Sequence, residues 1–358
     1  MAKAIFVIAE AGVNHNGNLA QAIELVDVAL AAGADAVKFQ TFKAESLVTK
    51  TASKANYQKQ TTGVDQSQLA MLKDLELSYQ QHFQLRDYCE QRGIIFMSSA
   101  FDVESLDFLV TEVGVKPLKI ASGEITNGPF LLAHAQTGLE IILSTGMATL
   151  AEIEQALGAL AFGYLGWEQP SLARFQLAYA DAQGHALLKQ RVTLLHCTTQ
   201  YPTPPAQVNL RSMDTLRQAF GLAVGYSDHT QGLAVSLAAA ARGATIIEKH
   251  FTLDRSLPGP DHIVSLEPDE LQQMVAAIRV IELALGSALK SPQPEELNNR
   301  LAARKSVLAR RDIMAGEVFG VENLAIKRPG LGLSPMEYWR LQGKVSQKNY
   351  QADEMIDD

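Results

Sequence analysis

The chain of 358 residues predicts an α/β fold, a (β/α)8 TIM barrel, followed by a small β-rich domain. Three observations carry that prediction. Short apolar, β-rich runs alternate with helix-like segments eight times along the chain. Most of those runs are apolar on consecutive residues, as parallel strands covered on both faces are. No glycine-rich dinucleotide fingerprint follows the first run, which disfavours a doubly wound open sheet.

The first run is AIFVIA (4–9). A lysine precedes it, as in a secretion signal, but the run is too short and Glu10 interrupts it, so it reads as a buried strand. The helix-like LAQAIELVDVALAAG leads to the second run, DAVKFQ (35–40). The remaining strands are IIFMSS (94–99), LKIAS (118–122), IILST (141–145), TLLHC (193–197), LAVGYS (222–227) and TIIEKHF (245–251). Several intervening helical segments close on glycine, a frequent C-terminal stop. Residues 43–66 break the rhythm with a long polar excursion after the second strand, where barrel loops usually serve function. Residues 164–191 lengthen the fifth unit, with Trp167 and Tyr179 available to anchor them. The barrel is expected over 1–288, a Pro-rich polar linker over 289–301 and the small domain over 302–358. There, short β runs alternate with Gly/Pro turns. A domain of that size is near the lower limit for folding alone and should lean on the barrel or on a second subunit.

Composition narrows the function. The 47% hydrophobic and 20% charged fractions are ordinary for a soluble globular protein. No apolar run approaches the ~20 residues of a membrane span. The two cysteines, Cys89 and Cys197, lie far apart, which suits a reducing cytoplasm without a disulfide framework. A net charge of -8 with no long basic run argues against nucleic acid as a partner. An anionic substrate remains compatible, because local lysines outweigh a global charge.

In a barrel the polar residues at strand C-termini converge on one rim. Here these are Glu10; Lys38 and Gln40; Ser98 and Ser99; Lys119, Ser122 and Glu124; Ser144 and Thr145; His196, Thr198, Thr199 and Tyr201; Ser227, Asp228 and His229; and Glu248, Lys249 and His250. Two lysines with hydroxyls from several strands form a cradle for phosphate and carboxylate. The bland alternative pairs the lysines with Glu10, Glu124 and Glu248. His229 and His250 close consecutive strands, so they point to a metal site at the barrel mouth. Two histidines are too few for structural zinc and suit an exchangeable ion such as manganese or magnesium. The stiff turn PGPDH (258–262) presents Asp261 near the same rim. Cys197 reads as a small core residue.

Taken together, IAEAGVNHNG, KFQTFKAESLV, KANYQ, LKIASGE, ILSTGMAT, LLHCTTQYPTP, GYSDHT, EKHFTLDRSLPGPDH, SLEPDEL and KRPGLGLSP resemble the bacterial sialic acid synthase family. The matches span nearly the whole chain in order. The resemblance implies a barrel followed by an antifreeze-like (SAF) domain, in a homodimer whose small domains are exchanged. It implies condensation of phosphoenolpyruvate with N-acetylmannosamine and water, releasing N-acetylneuraminate and phosphate. Carried onto this chain, His229 and His250 would hold a divalent metal, usually manganese, with magnesium or cobalt as alternatives. Lys38, Ser99, Lys119, Ser122, Ser144, Thr199 and Ser227 would surround phosphoenolpyruvate. Glu10, Gln40, Tyr201 and Asp261 would face the amino sugar, with Glu10 handling a proton. Arg328 would reach the sugar's N-acetyl group from the other subunit. Three positions depart from the family pattern: SSAF (98–101) for STPF, Thr199 where some members have Asn, and KRPGLG for KRPGNG.

Synthases of legionaminic and pseudaminic acids share this architecture and take 2,4-diacetamido-trideoxyhexoses. KANYQ and the EKHFTLD to EPDEL run favour the sialic acid branch, hence N-acetylmannosamine. A Schiff-base aldolase would need a desolvated lysine, for which Lys38, Lys119 and Lys249 are candidates. A non-enzymatic carbohydrate-binding role for the tail is the remaining alternative.

Overall fold

Eight parallel strands close into a barrel in chain order: β1 (Phe6–Gly12), β2 (Ala36–Thr41), β3 (Ile95–Ala100), β4 (Leu118–Ile120), β5 (Ile141–Ser144), β6 (Val192–Cys197), β7 (Ala223–Asp228) and β8 (Ile246–His250). The structure is a computed structural model and describes residues 4–55, 58–59, 62 and 67–357. β1 pairs with β8 through Phe6 to Glu10 against Ile246 to His250, which completes the closure.

The strand pattern builds the barrel interior in layers. Ile8, Ala36, Met97, Ile142, Leu195 and Ile246 form a buried apolar plug. Strand side chains alternate with period two, so the residues two further on share the interior face one layer up. Those residues are Glu10, Lys38, Ser99, Ser144, Cys197 and Glu248. The sequence thus switches from apolar to polar at one height around the barrel. Gly225 belongs to the plug layer of β7. A Cβ there would lie 2.5 Å from the Ile246 carbonyl oxygen and 2.6 Å from Leu195 Cδ2, so only glycine lets β7 approach. Outside the strands, the helices bury a second, larger core that includes Val7, Leu25, Phe39, Leu85, Leu157 and Ile278.

Helix boundaries follow from capping residues. Ser78 opens the helix Tyr79–Arg92 with a reciprocal Ser78/Gln81 capping box, and Gly93 ends it at φ 81°. β4 is shorter than the expected 118–122: it stops at Ile120, and Ser122–Glu124 form one 3-10 turn. Residues 164–191 fold as two helices, Leu172–Ala180 and Ala182–Arg191. Trp167 packs edge-on against Phe162 with ring centres 6.1 Å apart, so it does anchor the insertion.

The chain divides into two compact units, Met1–Gly286 and Ser287–Asp358. In the second, β9 (Ser306–Ala309) pairs antiparallel with β10 (Leu324–Lys327) over a small core of Val307, Ile313, Phe319, Leu324, Leu341, Tyr350 and Ile356. The stretch expected to be a linker is helical over Pro294–Ala303, with proline in the first turn and a Gln293/Glu296 capping box. Among the described residues, no helix is long and apolar enough to cross a membrane.

Candidate active site

Most of the strand-end residues singled out from the sequence converge on one cavity of about 380 Å³ at the C-terminal ends of the strands, whereas Ser98, Thr145, His196, Thr198, Asp228 and Lys249 do not line it. Glu10, Lys38, Gln40, Ser99, Lys119, Ser122, Ser144, Thr199, Tyr201, Ser227, His229, His250 and Asp261 all line it. Leu47, Val48 and Gln58, from the excursion after β2, line it as well, so that loop shapes the cavity. Asn56 and Tyr57 of the KANYQ motif lie outside the described residues. Arg328 belongs to the second unit, where it is exposed.

The cavity floor is a buried charge network. Lys38 Nζ lies 2.7 Å from Glu10 Oε2 and 3.6 Å from Glu248 Oε2, while Lys119 Nζ lies 3.6 Å from Glu248 Oε1. Lys38 also donates to Ser99 Oγ at 3.2 Å, Lys119 to Ser144 Oγ at 2.8 Å, and Ser227 Oγ to Glu248 Oε1 at 2.8 Å. The lysines do pair with glutamates, and both also line the cavity. Glu124 takes no part and accepts from Asn127 instead.

Burial and pairing set the protonation states. Burial pushes Glu10 up to about 7, against the pull of Lys38. Glu248 is also buried, but Lys119 and Lys38 overcome that penalty and hold it down at about 2. Burial would drag Lys38 down, yet Glu10 and Glu248 outweigh it and raise its pKa. Lys119 falls below its ordinary value because burial wins over Glu248. Asp261 is raised to about 6 by burial alone. The floor thus holds a firm carboxylate in Glu248 and a carboxyl poised near neutrality in Glu10. Glu248 is the counter-ion that sequence reasoning set aside as a mere partner. Its position two residues before His250, hence on the same strand face, is the signal that marks it.

Above this floor stand the two histidines, with ring centres 5.6 Å apart. His229 Nδ1 donates to the Thr198 carbonyl, which leaves the lone pair on Nε2, where the Tyr201 hydroxyl donates at 3.0 Å. Among the described residues, His250 Nδ1 is buried with no hydrogen-bond partner. Burial lowers His229 to about 4, and burial together with His229 takes His250 well below its ordinary value. Two neutral imidazoles with lone pairs to offer, one of them lacking any partner, fit a divalent cation. Among the described residues no group of three or more His, Cys, Asp and Glu side chains gathers at one point. The pair would therefore leave the rest of the coordination shell to water or substrate oxygen.

One side of the cavity is hydroxylic and tightly packed. Ser122 Oγ lies 3.1 Å from Cys197 Sγ and accepts from the Gly146 amide at 3.0 Å. Burial raises the Cys197 thiol, which keeps it an unreactive neighbour. Another part of the lining is apolar, formed by Val13, Leu47, Val48, Leu72, Leu75 and Phe101, most of which belong to one hydrophobic cluster.

A closed barrel with lysines and serines on its floor defines an enzyme that acts on an anionic small molecule. Comparison with known proteins narrows this. A family model described as the NeuB family matches residues 25–290, and one described as the SAF domain matches residues 304–358. An N,N'-diacetyllegionaminic acid synthase of Campylobacter jejuni is 47% identical over 99% of this chain and 99% of its own length. A second protein of that name, from Legionella pneumophila, is 46% identical over 97% of this chain and 92% of its own. The solved structure of an N-acetylneuraminic acid synthetase from Leptospira borgpetersenii superposes with a TM-score of 0.68 at 33% identity, covering 83% of this chain and 90% of its own. The chain belongs to the NeuB family. It is a phosphoenolpyruvate-dependent synthase that forms a carbon–carbon bond in nonulosonic acid synthesis.

Proposed function

We propose that the chain is an N,N'-diacetyllegionaminic acid synthase. It condenses phosphoenolpyruvate with 2,4-diacetamido-2,4,6-trideoxymannose and water, and releases phosphate. The observation that carries the chemistry is the lysine–serine floor directly beneath a pair of neutral histidines. The preference for N-acetylmannosamine drawn from KANYQ and the β8 motifs gives way here. Relatives 47% and 46% identical are named for the legionaminic product, and Asn56 and Tyr57 of KANYQ lie outside the described residues. The apolar wall supports the same choice. A 6-deoxy carbon and an extra acetamido methyl offer apolar surface for side chains such as Leu47, Leu72 and Phe101, beside which Gln58 and Gln68 also line the cavity.

The residues divide the work. Lys38 and Lys119, with the hydroxyls of Ser99, Ser122, Ser144, Thr199 and Ser227, bind the phosphate and carboxylate of phosphoenolpyruvate, exchanging glutamate partners for substrate oxygens. Gln40, Tyr201 and Asp261 orient the open-chain sugar so that its aldehyde carbon meets carbon 3 of phosphoenolpyruvate. A divalent cation on His229 and His250, with manganese favoured over magnesium or cobalt, supplies Lewis acidity toward the aldehyde when bound. Water adds to carbon 2, where positive charge develops, and the resulting tetrahedral centre expels phosphate. Glu10, poised near neutrality, holds or passes the proton beside the sugar. Of the three candidate imine lysines, Lys38 is held cationic and Lys249 does not line the cavity, which leaves Lys119, lowered by burial, as the one that borohydride trapping would have to find. We further propose a homodimer in which Arg328 of one chain serves the sugar in its partner's barrel, and a cytoplasmic location that supplies phosphoenolpyruvate.

The wall provides the test of the sugar. Leu72→Gln should reduce the kcat/KM preference for the diacetamido sugar over N-acetylmannosamine by about tenfold, the scale on which an apolar pocket discriminates a hydroxyl. An unchanged ratio with intact turnover would remove the wall from the argument.

A further inference from the structure

Beneath the two histidines, on the opposite face of the same strands, lies an ion pair that the chemistry above does not use. Asp228 and Lys249 are both fully buried, with Lys249 Nζ 3.1 Å from Asp228 Oδ2. Period-two alternation puts Ser227 and His229 toward the cavity and Asp228 between them toward the helices. On β8 the same rule sets Glu248 and His250 inside and Lys249 outside. Neither Asp228 nor Lys249 lines the cavity. A charged pair sealed between barrel and helices costs desolvation that pairing only roughly returns, and apolar residues of similar volume would serve packing at least as well.

Its connections explain where it sits. Asp228 and Lys249 are Cα partners in the last rung of the β7–β8 ladder. The β7–β8 pairing ends at that rung, while His250 still pairs with Glu10 on β1 and the His229 carbonyl accepts from the Thr203 amide at 2.9 Å, so the ion pair is the side-chain link between the two strands at this height. Asp228 Oδ1 accepts from the Thr230 amide at 2.8 Å, and Lys249 Nζ donates to the Thr230 carbonyl. Thr230 directly follows His229, and Lys249 directly precedes His250. Side chains of the residues flanking the two histidines therefore clasp one peptide turn from both sides. Ser236 Oγ, on the helix Ala234–Ala241, donates to Asp228 Oδ2 at 2.6 Å and anchors the clasp to the helical layer.

We propose that Asp228 and Lys249 are positioning residues that hold His229 and His250 at cation-binding separation. The inference rests on the reading of these histidines as metal ligands. Neither residue touches substrate, so each acts through the imidazoles, and the quantity it controls is metal affinity.

The test is calorimetric titration of metal-free protein with Mn2+, read without turnover. The double variant Asp228→Asn/Lys249→Met removes both charges together and avoids stranding one. It should fold, melt within about 5 °C of the parent and bind Mn2+ about 10- to 100-fold more weakly, the usual effect of losing a residue that orients a ligand. Its KM for phosphoenolpyruvate at saturating Mn2+ should stay at the parent value, since the floor is untouched. A folded double variant with parental Mn2+ affinity would overturn the proposal and leave the pair as packing. If the double variant does not fold, Ser236→Ala decides, because it keeps both charges and loosens only the anchor. An affinity loss of about threefold or more supports the clasp, and parental affinity overturns it. A parent that takes up none of Mn2+, Mg2+ and Co2+ would remove the ligand assignment itself, a failure distinct from parental affinity in the variants.

Discussion

Lys119 shows how one residue serves two states of the site. Its ammonium sits 2.8 Å from Ser144 Oγ and 3.6 Å from Glu248. On the proposed reading, phosphoenolpyruvate would bring carboxylate and phosphate oxygens into that position, where a charge-assisted hydrogen bond contributes roughly 1.5–3 kcal/mol. Lys119→Met keeps an unbranched side chain only one atom shorter and removes the charge. It should lower kcat/KM for phosphoenolpyruvate by about 10- to 100-fold, measured by initial rates of phosphate release. A loss confined to the sugar KM would place Lys119 elsewhere in the chemistry. The residue types were legible in the sequence, because polar residues at the ends of eight apolar runs are conspicuous. Which of two adjacent charges faces the cavity was harder to read. β8 is buried on both faces, so Glu248 and Lys249 look alike until His250 sets the phase.

At the scale of single elements, capping signals were readable where they were sought. The Gln293/Glu296 capping box and Pro294 mark a helix start, yet proline and polar residues there also read as a linker, and the helix won. β4 ends early because Ala121 leaves the ladder and Ser122 enters a 3-10 turn, which carries the hydroxyl over to Gly146 and Cys197. The helix Gly128–Gln136 carries a different consequence of burial. His134 on it packs edge-on against Phe130 at 4.4 Å, with Nδ1 donating to the Phe130 carbonyl at 2.9 Å. Burial lowers its pKa from 6.5 to about 4. Unfolding restores the ordinary value, so between these limits the unfolded chain binds a proton that the folded chain refuses. Its contribution to stability is therefore fully present above about pH 6.5 and is lost progressively as pH falls toward about 4. His134→Leu should melt with a shallower decline than the parent between about pH 7 and about pH 5, followed by thermal denaturation. Equal declines would mean that His134 titrates normally in the folded chain.

The whole molecule consists of a barrel unit that holds the floor and the histidines, and a second unit that holds Arg328. If Arg328 serves the partner's barrel, two damaged chains should repair each other. A His229→Ala chain keeps Arg328, and an Arg328→Ala chain keeps its barrel, so a mixed dimer contains one complete site. Arg328→Ala alone should raise the KM for sugar while leaving that for phosphoenolpyruvate nearly unchanged. Mixing it with His229→Ala protein, after dissociation and reassociation, should restore part of the activity at the parental sugar KM. Failure to restore it, with mixed dimers demonstrably formed, would mean that Arg328 acts in its own chain or not at all.

The central claim, a phosphoenolpyruvate-dependent synthase of the legionaminic type, is tested most directly by phosphate release from phosphoenolpyruvate in Mn2+. Release should be followed with 2,4-diacetamido-2,4,6-trideoxymannose and N-acetylmannosamine in parallel, with and without chelator. Release should require a sugar, disappear with chelator, and run at about tenfold or greater kcat/KM with the diacetamido sugar. A clear preference for N-acetylmannosamine would contradict the sugar assignment, and no release with either sugar would contradict the proposed reaction.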